Sequence, residues 1–262
     1  MKRALPFTKH RLPTLFALTL LLAPKLAAAA EPGDPWQVAL GAGLSTRPQY
    51  PGSDDTRLQP LPVFDISYRN RWFLRSSDGL GAYLVQGEDC WISASITPDL
   101  TRRRETDDTR LRGLGSVHET ARAMLKAGYR WGWLSGTVAA SSDIAGQRQG
   151  TLLDFELDAR QALTERLQID GGIGARWANR QYNSSFFGID AQQSAASGLS
   201  QYSAGSGFSD LRAFVGASYG IDRHWSTSAR ITAARLVGDD AGSPITERKL
   251  FTGFAAFAVY RF

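Results

Sequence analysis

The chain is poor in the side chains that carry most enzyme chemistry. Its 262 residues include one cysteine, Cys90, and three histidines, His10, His118 and His224. One cysteine cannot close an intramolecular disulfide, and no CxxC or Cys/His cluster offers a zinc site. Cys90 lies too far from the N-terminus for a lipoprotein anchor and reads as a small half-buried residue beside Trp91. EF-hand, P-loop and zinc motifs are absent. The GSDD stretch at 52–55 and the GDD stretch at 238–240 read as solvated turns. No catalytic, cofactor or metal residue is therefore assigned. Beyond position 30 no apolar run reaches the roughly 18 residues of a membrane-spanning helix, which excludes a helical membrane protein.

Acidic residues are missing from both ends. Residues 1–30 hold Lys2, Arg3, Lys9, Arg11 and Lys25 but no Asp or Glu. An apolar run from Leu12 to Ala23 follows the first basic cluster, and Ala28-Ala29-Ala30 offers a small-residue cleavage site before Glu31. This is the layout of a secretory signal peptide, so 1–30 is expected to be removed and 31–262 to form one domain. Of 30 basic residues, five lie in that segment; the other 25 face 25 acidic residues. The remaining domain is neutral, and the basic pI gives no reason to expect nucleic-acid binding.

What the chain has instead is glycine, aromatic residues and a period of two. Alternating segments are predicted at 36–45, 61–69, 71–76, 80–86, 90–97, 117–130, 133–142, 151–163, 167–177, 208–219, 225–236 and 250–262. About twelve strands is an even number, as bacterial outer-membrane barrels require. Several segments run to ten residues or more, longer than the usual five or six of a sandwich and close to the roughly nine to eleven of a tilted membrane strand. The fold expected is all-β: an antiparallel transmembrane β-barrel of about 12 strands, of outer-membrane type.

Connections support that reading. Links after even strands are short, such as Arg69-Asn70, Gly87-Glu88-Asp89 and Gly220-Ile221-Asp222. Links after odd strands include TRPQYPGSDDTRLQ, the residues 178–207 and VGDDAGSPITER, all long and polar. Short periplasmic turns and long outer loops are the outer-membrane arrangement. The link Ser77-Asp78-Gly79 breaks the rule. Trp36, Trp72, Trp91, Trp131, Trp133, Trp177 and Trp225 fall near strand ends, where a membrane–water boundary would place them.

The last strand, FTGFAAFAVYRF, should close the barrel against 36–45, because an open edge in hydrocarbon leaves backbone groups unsatisfied. Tyr260 and Phe262 at its end resemble the signal read by the barrel-assembly machinery. Charged faces point to the lumen: Arg122, Lys126 and Arg130 on one strand, Asp154, Glu156 and Asp158 on another. These are expected to lie near one another and fill the interior with compensating charge. His118 shares the phase of Arg122 and is expected in the lumen; His224 sits at a turn. Neither suits a lipid hydrolase of the Ser/His kind.

Several stretches resemble the MipA/OmpV family of Gram-negative outer-membrane proteins. They are Gly41 and Gly43, Tyr50-Pro51-Gly52-Ser53, Pro60 and Pro62 with Trp72-Phe73; then Tyr182, Phe187-Gly188-Ile189, Ser197-Gly198-Leu199 and Tyr202; then Gly238-Asp239, Ser243-Pro244 and Tyr260-Arg261-Phe262. The resemblance implies a non-enzymatic barrel in the outer membrane, in contact with its lipid. It also implies a scaffold joining a lytic transglycosylase to a murein synthase, with no cofactor. A small-solute or ligand-binding channel, or an adhesin, is the alternative. Tyr50, Tyr182, Phe187, Tyr202, Asp239 and Ser243 are the candidate loop, plug or ligand contacts. A periplasmic scaffold and outer loops that carry the family resemblance pull in opposite directions unless those loops fold into the barrel mouth.

Overall fold

A computed structural model describes residues 35–262; the expected signal segment 1–30 lies outside the described residues. Twelve antiparallel strands close on themselves. They are β1 (Trp36–Pro48), β2 (Thr56–Tyr68), β3 (Trp72–Arg75), β4 (Gly79–Gln86), β5 (Cys90–Asp99) and β6 (Thr120–Trp131), then β7 (Leu134–Asp143), β8 (Thr151–Ala162), β9 (Leu167–Ala178), β10 (Gly207–Gly220), β11 (Trp225–Leu236) and β12 (Leu250–Arg261). Each pairs with its sequence neighbour, and β12 returns to β1.

The barrel is inside out relative to a soluble protein. Leu40, Leu44, Leu125, Leu157, Ile173, Val215, Ile231 and Phe254 are exposed on the outer face. Arg122, Lys126, Asp158, Asp170 and Arg230 are buried within. Charged residues are almost never buried in a water-soluble domain unless paired, and a continuous apolar exterior there would aggregate. Hydrocarbon outside and ion pairs inside remove both difficulties. This burial pattern, which strand periodicity alone could not supply, separates the membrane barrel from a sandwich.

The seam between β1 and β12 runs from Ala39 opposite Arg261 to Ser45 opposite Ala255. Gly41 faces Val259 and Gly43 faces Phe257 on the lumen side. A Cβ on Gly43 would lie 2.0 Å from the Ala256 carbonyl oxygen. The two glycines let the closing strands approach while Phe257, Val259, Leu61 and Val63 pack inside. At the turn end the aromatic rings form a belt: Trp36 against Tyr68 at 4.6 Å, Tyr129 against Trp131 at 4.8 Å and Trp225 against Tyr260 at 5.1 Å. Trp91 departs from the expectation. It lies on the lumen face of β5, with the Lys126 ammonium 5.8 Å from its ring.

Several strand boundaries move. β2 begins at Thr56 and pairs with β1 out to Pro48; Pro60 and Pro62 hide this extension, because proline reads as a strand breaker. β6 begins at Thr120, and His118 precedes it as an exposed loop residue rather than a lumen one. β3 has only 4 residues. It meets β2 from Asp65 to Tyr68 and goes no higher. The irregular link at Ser77-Asp78-Gly79 is thus the tip of a half-height hairpin. Lys126 holds that tip, its ammonium 2.9 Å from Asp78 with both side chains buried.

Candidate functional site: the closed mouth and the lumen

The long loops do not wave above the barrel; they pack into one body across its mouth. The β9–β10 loop carries α1 (Arg180–Phe187) and α2 (Ala191–Ser197), and the β11–β12 loop carries α3 (Gly238–Gly242). Asn179 caps α1 through Tyr182 N–H, and Asp190 with Gln193 forms a capping box on α2. Such caps satisfy backbone donors that a short helix would otherwise leave bare. Tyr182, Phe186 and Phe187 then pack with Leu152, Ala204 and Leu236, while Tyr50, Leu111, Leu114, Ile189 and Ile245 form a second cluster.

All six residues singled out in the loops enter this body. Tyr50, Tyr182, Phe187 and Ser243 are buried. Tyr50 donates its hydroxyl proton to Glu247; burial and that carboxylate push its pKa up. Ser243 Oγ donates to the Phe187 carbonyl at 2.6 Å. Tyr202 donates to the Asp239 carbonyl, and Asp239 Oδ2 accepts from Gly205 N–H, both at 2.7 Å. Five of the six thus bind one another or neighbouring loops, and Tyr182 packs in the same core. Arg103, in the loop after β5, supplies the keystone. It is buried, and its guanidinium donates to the Phe186 carbonyl at 2.7 Å and the Leu114 carbonyl at 3.3 Å. Burial lowers its pKa to about 10, still well above neutrality.

Asp240, within α3, has no exposure. Ser209 donates to one carboxyl oxygen; the other has no partner. Burial, opposed by the Ser209 hydrogen bond and reinforced by Asp239 and Asp210, raises its pKa to about 7. The GDD stretch is therefore anchored in the protein rather than open to a cation.

Below the loops ion pairs line the lumen wall, between strands that lie next to or near one another, in an arrangement the alternation did not disclose. The basic row Arg122, Lys126 and Arg130 does not pair with the acidic row Asp154, Glu156 and Asp158. Arg122 reaches Asp99 at 2.5 Å and also donates to the Gln149 and Gly150 carbonyls. Asp154 sits between Arg176 at 2.9 Å and Arg212 at 2.7 Å. Asp158 takes Arg160 at 3.3 Å and the Ser135 hydroxyl at 2.7 Å. Arg230 and Asp170 pair at 2.6 Å. Glu156 keeps a buried oxygen without a partner, facing a cavity of about 230 Å³ under the loops. Arg176, Arg212 and Arg230 also line it.

Arg130 lies at the other end, in a recess of about 480 Å³ among the short turns, with Arg75, Tyr83, Glu88, Asp89 and Trp91. His224 is also at the turn end, stacked on Tyr260 with ring centroids 5.4 Å apart. His118 and His224 therefore stand at opposite ends of the barrel and cannot share a site.

Comparison with known proteins gives the family of the chain. Residues 40–262 match the family described as MltA-interacting protein MipA. The chain is 27% identical over 252 residues to the MltA-interacting protein of Escherichia coli (strain K12), covering 95% of this chain and 98% of that one. It is 24% identical over 227 residues to the E. coli K12 protein named "Putative outer membrane protein YiaT", covering 86% and 90%. Among solved structures, an outer membrane channel from Pseudomonas putida F1 aligns over 92% of this chain and 100% of that one, at 11% identity and a TM-score of 0.45. OmpT of Vibrio cholerae aligns over 87% and 97%, at 6% identity and a TM-score of 0.39. The chain belongs to the MltA-interacting protein MipA family and is a twelve-stranded β-barrel of the outer membrane.

Proposed function

We propose that this barrel is a non-enzymatic platform in the outer membrane that receives a murein-processing partner at its periplasmic, turn-end mouth. The observation that carries the reading is the contrast between the two ends. The loop end is occupied by its own buried core. The turn end presents an open recess whose lining combines Arg75, Arg130, Tyr83 and Trp91 with Glu88 and Asp89. Arg, Tyr and Trp are the residues that dominate protein–protein hot spots, and a recess lets a partner bury them. A single inserted partner segment offsets the small area of the turns themselves. Similarity over nearly the full length to a protein named for interaction with MltA supports a partner of that class, a lytic transglycosylase; the murein synthase is carried into the proposal by the family resemblance alone.

The test is a photo-cross-linking residue at Glu88 or Asp89 in intact cells, followed by identification of the captured protein. Murein enzymes captured there, and not from a probe at Gln181 on the loop end, support the platform. Capture only at the loop end overturns it. A second reading, small-solute binding, has the cavity beneath the loops in its favour. Conductance in planar bilayers tests it; a silent barrel removes the channel form.

A further inference from the structure

The half-height hairpin leaves a notch in the barrel wall. On β2, residues 56–64 pair with β1 on one side and with no strand on the other. At about 3.4 Å per residue that is about 30 Å of strand edge. On β5 the last pair with β4 is Ile96 opposite Leu80. Between the two margins lies the width of the missing strands, about three spacings of 4.8 Å.

The backbone of each margin is prepared for the gap. Phe64 turns its polar groups towards the hairpin: its N–H donates to Ser76 Oγ at 2.7 Å, and its carbonyl accepts from Ser76 N–H at 3.0 Å. Alternate residues of an antiparallel strand point the same way, so Pro60 and Pro62 would have aimed their N–H groups into the notch. On the far side, Gly87 N–H donates to the Cys90 carbonyl at 2.8 Å, which sets the even positions of β5 towards β4. Pro98 is the even position above the last pair. Three prolines therefore stand where an unpaired donor would otherwise face the gap. They also prevent a protein strand from completing a ladder there, because each withholds a hydrogen bond. The flanking side chains Leu58, Leu80 and Ile96 are apolar and exposed.

Cationic groups converge above the same gap, from both margins. Arg47 and Arg57 are direct cross-strand neighbours on β1 and β2. Arg102 and Arg104 come from the loop after β5, and both lie within electrostatic reach of Arg57. Glu119 holds Arg102 at 3.3 Å and Arg104 at 3.0 Å, and Asp107 lies 4.0 Å from Arg102. Arg57, Arg102 and Arg104 thus gather around two carboxylates. The Nε atoms of Arg57 and Arg102 are buried with no hydrogen-bond partner among the described residues. Three guanidinium groups against two carboxylates, beside an apolar slot, fit an anion that carries a hydrocarbon chain.

We propose that the notch is a lateral doorway that seats one phosphorylated lipid of the outer leaflet. Its headgroup rests on Arg57 and Arg102, and an acyl chain runs between the proline-lined margins. The proposal is independent of the platform reading, which concerns the other end of the barrel.

The experiment uses the full barrel in neutral-lipid nanodiscs and phosphatidic acid bearing a photoreactive diazirine in its acyl chain. Labelled residues are mapped by mass spectrometry. Labelling is expected on lumen-facing residues beside the notch, Gln59 and Leu61, and not on Ser218 or Ser228, which face the lumen behind intact wall. Diacylglycerol with the same chain should label Gln59 and Leu61 at least tenfold less. The double variant Arg57→Ala/Arg102→Ala should lose the lumen labels but keep those on outward residues such as Leu125, while Arg57→Lys/Arg102→Lys keeps both. Absence of lumen labelling in the wild type overturns the doorway. Equal labelling by diacylglycerol overturns the headgroup site. Displacement by equimolar inorganic phosphate overturns the lipid in favour of a free-anion site. The wild-type comparison of the two lipids decides even if the double variant fails to fold.

Discussion

Replacing Asp240 with Asn should tighten the closed mouth at neutral pH. Asp240 holds the β11–β12 loop against β10 through Ser209, while its other oxygen is buried without a partner. Its pKa in the docked loop is about 7, against an ordinary 3.8. When the loop swings out, the carboxyl returns to water and titrates near its ordinary value. Between about pH 4 and pH 7 the docked state therefore holds a proton that the open state has lost. Docking weakens as pH rises through that window and levels off above it. Each pKa unit corresponds to about 1.4 kcal/mol, so roughly three units correspond to about 2–4 kcal/mol. Asn cannot ionise and keeps an oxygen for the Ser209 hydroxyl. Amide exchange over residues 238–246, corrected for the intrinsic pH dependence of exchange, reads the opening equilibrium directly. The wild type should lose about thirtyfold or more in protection between pH 5 and pH 8, at about 1.4 kcal/mol per tenfold. Asp240→Asn should show no such loss and should exceed the wild type at pH 8. Equal corrected protection of the wild type at both pH values, with no gain in the variant, would refute the reasoning.

Other substitutions probe the remaining parts. Lys126→Ala strands the buried Asp78 carboxylate and should destabilise the barrel by about 3–5 kcal/mol; Lys126→Ala/Asp78→Ala should recover much of this, as read from urea unfolding of the detergent-solubilised protein. Gly43→Val places a Cβ against the Ala256 carbonyl oxygen, only 2.0 Å away. Heat-modifiable migration on a denaturing gel should be lost, whereas Gly207→Ala, where an added Cβ meets open space, should retain it. Arg103→Ala removes two hydrogen bonds from a charged donor to loop carbonyls and should loosen the mouth by about 2–4 kcal/mol, seen as faster proteolysis of the loops with the barrel intact.

A good part of this architecture is legible in the chain because strand periodicity is local. A residue's face depends on its parity within its own strand, so Leu125 could be assigned outward and Lys126 inward without any partner in view. The seam of 36–45 with the last strand followed from the need to leave no bare edge in hydrocarbon, and β1 pairs with β12 there. Long and short links marked the two ends. Ion pairing along the lumen wall was not legible. Lys126 finds Asp78 and Arg122 finds Asp99, on neighbours set by register, stagger and closure rather than by parity. His118 was misassigned for a related reason: its parity was read through a strand that begins only at Thr120. The Pro60-Leu61-Pro62 stretch was recognised as a familiar pattern, but its meaning needed the absent neighbour.

By itself, then, the sequence determined that the chain is a membrane barrel with greasy alternate residues outside, charged ones inside and a C-terminal strand that must find the first. Only the tertiary structure decided that the mouth is closed by its own loops, that one hairpin stops halfway and that four arginines gather above the opening it leaves. The physical reason is range. Alternation and turn chemistry act between residues a few positions apart, whereas loop packing and charge compensation join groups tens to hundreds of positions apart, whose neighbours exist only once the cylinder has closed.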